Sequence, residues 1–216
     1  MTRPATEHFK LAGLGWLATV ATSLAFVPAL RQLNCLLIGA ALSAVVVLSG
    51  IGLRLVRTRA LVTLAVQLVV VAEVLTVAYG SKLKLGVLPT PGTVSGFRHQ
   101  VAAGMQVANQ YAAPAPVNVG LLLMIAFFIA CVAAFVDFLA VGLRRAPLAG
   151  LALLALYTVP VAALPHGVPF YGFVPGAVSY LALLMADERY RLAHWGRLVS
   201  REPRPDAAAG VMDTSG

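Results

Sequence analysis

The chain has 216 residues, of which 60% are hydrophobic and 11% charged, and a formal net charge of +8. Soluble domains hold about 45–50% apolar and about 25% charged residues, which excludes an ordinary soluble globule; a disordered chain would need low hydrophobicity and high charge. The composition predicts an all-α, polytopic membrane helix bundle whose apolar surface faces lipid.

A membrane-crossing helix needs roughly 20 mostly apolar residues. Windows of that kind run from Leu11 to Leu30, Leu33 to Leu53, Ala60 to Gly80, Val117 to Leu143, Ala146 to Leu164 and Val168 to Ala186. The sequence therefore predicts about six spans within residues 1–186, an external loop over 81–116 and a tail over 187–216. The first apolar stretch is too long for a cleaved signal peptide and further spans follow it, so it is expected to stay inserted. The last two spans are joined by a Pro165-His166-Gly167 turn, and Pro160, Pro169 and Pro175 are expected to kink them.

Orientation follows from the basic residues, because positively charged loops are retained on the cytoplasmic side. With the N-terminus inside, only Arg31, Lys82, Lys84 and Arg98 of the 16 Lys and Arg residues fall outside. Both termini are therefore expected in the cytoplasm, with the chain multi-pass in a bacterial plasma membrane. The charge excess is a topology signal rather than a nucleic-acid surface, since no basic residues interleave with aromatics on one exposed face.

In the external loop, the Pro89-Thr90-Pro91 element stiffens the backbone. Beyond it, Phe97, Val101 and Met105 recur four residues apart among polar neighbours that include Arg98, His99 and Gln106. This pattern predicts an external amphipathic helix that either lids the bundle or offers Phe97, Val101 and Met105 as a docking face. In the tail, Leu192, Trp195 and Val199 share a helical face suited to headgroups. From Glu202 onward disorder is expected, and the ending Asp213-Thr214-Ser215-Gly216 suggests a piece of a longer protein.

Three residues are costly in lipid: Gln67, Glu73 and Asp137. An acidic group at the bilayer centre costs about 2.5–3.5 kcal/mol on insertion scales. Glu73 and Asp137 should lie at different depths, roughly 15 Å apart along the bilayer normal at 1.5 Å per residue. One reading makes Glu73 interhelical glue, with Gln67 beside it, and places Asp137 near the inner headgroups. The other makes Glu73, Gln67 and Asp137 the pathway of a small ion-coupled transporter. Cys35 and Cys131 read as small buried thiols, His166 as a turn residue, and no metal or cofactor is expected. Gly39 with Ser43, Ala40 with Ala44, and Gly172 with Gly176 are spaced for close helix packing.

The string Gly142-Leu143-Arg144-Arg145-Ala146-Pro147-Leu148-Ala149-Gly150 leads into a leucine-alanine run ending Tyr157-Thr158-Val159-Pro160-Val161. With Pro89-Thr90-Pro91, Ala186-Asp187-Glu188-Arg189 and Trp195-Gly196-Arg197, it resembles the N-terminal membrane region of the bacterial TgpA-like transglutaminase family, particularly its actinobacterial members. The resemblance implies a multi-span region that precedes an extracytoplasmic transglutaminase-like domain with a papain-type Cys-His-Asp triad. None of that triad carries over onto Cys35, Cys131 or the histidines here, and the chain has no room for such a domain. The expected function is non-catalytic: anchoring and orienting a covalently following domain in the cell envelope, with the lipid bilayer as the other partner. The alternative is the ion-coupled transporter.

Overall fold

The computed structural model of the chain describes residues 5–30, 34–56, 58–79, 98–106, 119–164 and 167–199. Within them, α1 spans Ala5–Ser23, α2 Asn34–Leu55, α3 Ala60–Tyr79, α4 98–106, α5 Val119–Asp137, α6 Ala146–Ala163 and α7 Phe170–Val199. No strand occurs among the described residues. Among the described residues five helices are long and apolar enough to cross a membrane, and the apolar stretch Ala60–Leu75 of α3 is a shorter sixth. The all-α bundle of about six apolar helices expected from the sequence is therefore the fold. Phe97, the Pro89-Thr90-Pro91 element, Arg31, Pro165, His166, the Cys35 side chain and everything after Val199 lie outside the described residues.

Helix α5 is the centre of the bundle, packed by α1, α2, α3 and α6, while α7 lies chiefly along α1. Its buried positions, including Leu123, Ala126, Ile129, Ala130, Val132, Ala133, Ala134 and Val136, cover most of the helix and leave a narrow exposed stripe at Phe127 and Phe135, as expected of a helix packed by several others. By contrast α6 and α7 keep most of their apolar surface exposed, with Leu151, Leu154, Phe170, Phe173, Leu181 and Met185 pointing outward. In a membrane protein such faces meet lipid.

Small residues set the close crossings. A Cβ at Gly39 would come within 2.8 Å of Ile129 Cδ1, which brings α2 onto α5. On α7, a Cβ at Gly176 would lie 2.7 Å from Thr22 Oγ1, and one at Gly172 3.2 Å from Ala25 Cα. The spacing of these two glycines is thus used against α1. There α1 tightens into a 3-10 turn, Leu24–Phe26, before one more helical turn, Val27–Leu30. Pro28 accounts for this, because it cannot donate to the carbonyl four residues earlier and its ring crowds that group.

The helix ends follow from local chemistry. Leu164 stops α6 in an extended conformation (φ −93°, ψ 121°) because Pro165 follows it and disfavours the α region. Pro160 and Pro175 lie inside α6 and α7, whereas Pro169 precedes α7 instead of interrupting it. The first part of the tail over 187–216, where Leu192, Trp195 and Val199 were expected on one helical face, continues α7 without a break to Val199. Around 98–106, α4 crosses the start of α5: a Cβ at Gly104 would sit 2.7 Å from the carbonyl carbon of Gly120. The buried side of α4 is therefore its glycine, while Val101 is half-buried and Met105 exposed.

At its other end α5 widens into a π-turn, Phe138–Gly142, closed by Leu143 N–H donating to Phe138 O at 2.8 Å and Arg145 N–H to Leu139 O at 2.9 Å. The corner is completed by Arg144 at φ +57°. A left-handed conformation costs a non-glycine residue roughly 1–2 kcal/mol, and glycine's own entropic penalty is about 0.5–1 kcal/mol. Arg144→Gly is therefore expected to raise stability by about 0.5–1 kcal/mol, read as an upward shift of the thermal midpoint in detergent. A drop would show that the Arg144 side chain contributes more than its backbone strain removes.

Candidate functional site

The π-turn sits beside the polar centre of the molecule. Asp137, the last residue of α5 before it, is 2% exposed, and Arg54 in the last turn of α2 is 16% exposed. Arg54 Nη1 donates to Asp137 Oδ1 at 2.8 Å and Nη2 to Oδ2 at 2.8 Å, a two-pronged pairing that matches guanidinium to carboxylate. Nη2 also donates to the main-chain carbonyl of Asp137 at 3.2 Å. From α3, Gln67 Nε2 donates to Asp137 Oδ2 at 2.7 Å and to the carbonyl of Val46 at 3.1 Å. Gln67 is fully buried, and its Oε1 has no hydrogen-bond partner. The amide orientation is determined, since the flipped amide would turn an oxygen towards two acceptors.

Three helices are joined in this way. Side chains lean towards the N-terminus of their helix, so Arg54, near the C-terminal end of α2, reaches back into the bundle rather than out of it. One turn earlier on the same face stands Gly50. A Cβ there would collide with Gln67 Nε2 and lie 2.7 Å from Asp137 Oδ2, so the missing side chain is the space in which the three groups meet. One turn before Gly50, Val46 offers its carbonyl. The face 46, 50, 54 of α2 thus supplies an acceptor, a gap and a cation in successive turns.

The sequence singled out Gln67, Glu73 and Asp137, and the structure brings the first and third together. Glu73 is half-buried, six residues beyond Gln67, which places it about 9 Å further along α3 and about a third of a turn round it. Gln67 is therefore partnered with Asp137 rather than with Glu73. Arg54 and Gly50 were not among the candidates. In the sequence Arg54 follows the second apolar window beside Arg57 and Arg59 and reads as a retained topology charge, while Gly50 within that window carries no chemical signal.

A second polar link ties α1 to α2: Trp16 Nε1 donates to Ser43 Oγ at 3.1 Å and to Ala40 O at 3.3 Å. Thr58 and Thr63 hydroxyls pair at 3.0 Å at the entry to α3. Cys131 is a free, half-buried thiol on α5. No group of three or more His, Cys, Asp or Glu that could hold a metal ion occurs among the described residues.

Chemically, the arrangement is a brace. Both carboxylate oxygens of Asp137 are engaged, and the acid that Arg54 neutralises is held at the meeting point of α2, α3 and α5. A buried ion pair of this kind is weak as a source of stability relative to apolar residues of the same shape, yet breaking it strands a charge, so it fixes which faces meet. No curated protein and no solved structure matches the chain. A family profile described as the TgpA N-terminal domain matches residues 17–212, from within α1 past the end of α7. The chain belongs to the TgpA N-terminal domain family.

Proposed function

We propose that the chain is a non-catalytic membrane module that anchors and orients the transglutaminase-like domain of a cell-envelope protein. It sits multi-pass in the plasma membrane with residues 81–116 outside and both ends in the cytoplasm. The observation that carries this reading is the family match over residues 17–212. The Arg54–Asp137–Gln67 brace supports it, because a carboxylate tied up by a guanidinium and an amide holds helices in place rather than passing a proton. The same engagement of Asp137 weighs against the ion-coupled transporter, as does the placement of Glu73 away from it.

Orientation is tested by single cysteines introduced as Thr93→Cys or Ser200→Cys in a chain lacking Cys35 and Cys131. A membrane-impermeant maleimide should label the Thr93 variant in intact cells and the Ser200 variant only after lysis. The opposite pattern overturns the topology. Exchanging this region of the full-length protein for an unrelated anchor of equal topology should leave the activity of the solubilised enzyme within about twofold, below the tenfold that 1.36 kcal/mol would bring. A tenfold loss would mean that the module does more than hold and orient.

A further inference from the structure

We infer that Arg59, Arg144 and Arg145 form a surface that binds the phosphate of an anionic phospholipid at the end of the bundle where α3 begins and the α5–α6 corner turns. All three are exposed. They are brought together because the corner lies on the start of α3: a Cβ at Gly142 would be 3.2 Å from Ala60 Cβ, one residue from Arg59 and two from Arg144. The segments 54–63 and 138–150 contain no acidic residue. Asp137, which adjoins them, is already paired with Arg54.

The positive potential here exceeds what three side chains supply. Arg59 O accepts from Thr63 N–H at 3.0 Å and Arg145 O from Leu148 N–H at 3.0 Å, so each of these arginines stands at the positive end of a helix. Cations at that end repel the helix dipole, and an anion between them relieves the repulsion. Guanidinium groups suit phosphate, which they can bind through two parallel hydrogen bonds.

Lipid, rather than free phosphate, is favoured by what surrounds the cations. Leu55, Val56, Leu61 and Leu143 are exposed beside them, so the surface passes from apolar to cationic within a few residues. A molecule with acyl chains and a phosphate matches both parts; an inorganic anion matches only one. The inference does not depend on whether the module anchors an enzyme.

The test is native mass spectrometry of the detergent-solubilised chain titrated with phosphatidylglycerol or phosphatidylcholine. Near a membrane surface each arginine contributes about fivefold to affinity for anionic lipid. The triple variant Arg59→Gln, Arg144→Gln, Arg145→Gln should therefore bind phosphatidylglycerol roughly a hundredfold more weakly, with phosphatidylcholine binding unchanged. Arg98→Gln, which removes an exposed cation on α4, should bind as the wild type does. The triple lysine variant, which keeps the charge without the two-pronged geometry, should lose less affinity than the triple glutamine variant, which separates loss of charge from loss of fold. Equal binding of phosphatidylglycerol by the wild type and the triple glutamine variant overturns the site. An equal loss in Arg98→Gln reduces it to net charge and overturns it too, and displacement of lipid by millimolar inorganic phosphate assigns the surface to free phosphate instead.

Discussion

Arg54→Met is expected to destabilise the bundle by about 3–5 kcal/mol, the cost of removing one partner from a buried ion pair. The loss should be larger than that of Asp137→Leu, and the reason is geometric. Without Arg54, Asp137 stays 2% exposed at the junction of three helices, with the Gln67 amide as its remaining side-chain donor. Without Asp137, Arg54 is already 16% exposed near the end of α2 and can extend its head towards the headgroups. That escape should hold the cost of Asp137→Leu to about 2 kcal/mol. In the double variant Arg54→Met with Asp137→Leu neither charge is stranded, and stability should return to within about 1 kcal/mol of the wild type. Unfolding in mixed micelles for the four proteins measures the coupling directly. If both single variants lose less than about 1 kcal/mol, the pair is a surface contact and not a brace.

The fold was legible because each span announces itself by length and apolarity. The site was half legible. The rise of 1.5 Å per residue places Gln67 about 10 Å from the start of α3 and Asp137 about 9 Å from the end of its span, at matching depth, which leaves Glu73 about 9 Å from Asp137 along the axis and not the 15 Å expected. That arithmetic would have paired Gln67 with Asp137. Arg54 escaped notice because it follows the apolar run and counts naturally as a topology charge. Its backward lean into the bundle depends on helix direction and on a neighbouring gap, which no residue type spells out. Gly50 was illegible for the same reason: a glycine shows only that nothing is there, and what fills the space comes from α3 and α5. The π-turn after Asp137 and the left-handed Arg144 underlie the Gly142 to Pro147 string that carries the family resemblance.

Gly50→Ala should damage the polar centre itself, because the methyl group falls where Arg54, Gln67 and Asp137 meet. An added Cβ lands on Gln67 Nε2 and 2.7 Å from Asp137 Oδ2, so it leaves two outcomes. In one, the Gln67 amide is pushed aside and loses its bonds to the Asp137 carboxylate and the Val46 carbonyl. In the other, α2 moves away from α3 and α5 and opens the crossing at Gly39 as well. A lost hydrogen bond to a charged group is worth about 1.5–3 kcal/mol and overpacking about 1–3 kcal/mol, while alanine recovers about 1 kcal/mol of helix propensity. The net effect of either outcome should be a loss of about 1–2 kcal/mol. Gly52, two residues along the same helix, is the matched control. It is exposed with nothing within 4 Å of its would-be Cβ, so Gly52→Ala should be neutral or stabilise by up to about 1 kcal/mol. The double variant Gly50→Ala with Gln67→Ala separates steric conflict from loss of backbone freedom. If the collision with the amide is the cause, removing the amide makes room, and the double variant should be more stable than the sum of the two single losses. Strict additivity would mean that Gly50 serves the backbone of α2 and not the meeting of Arg54, Gln67 and Asp137.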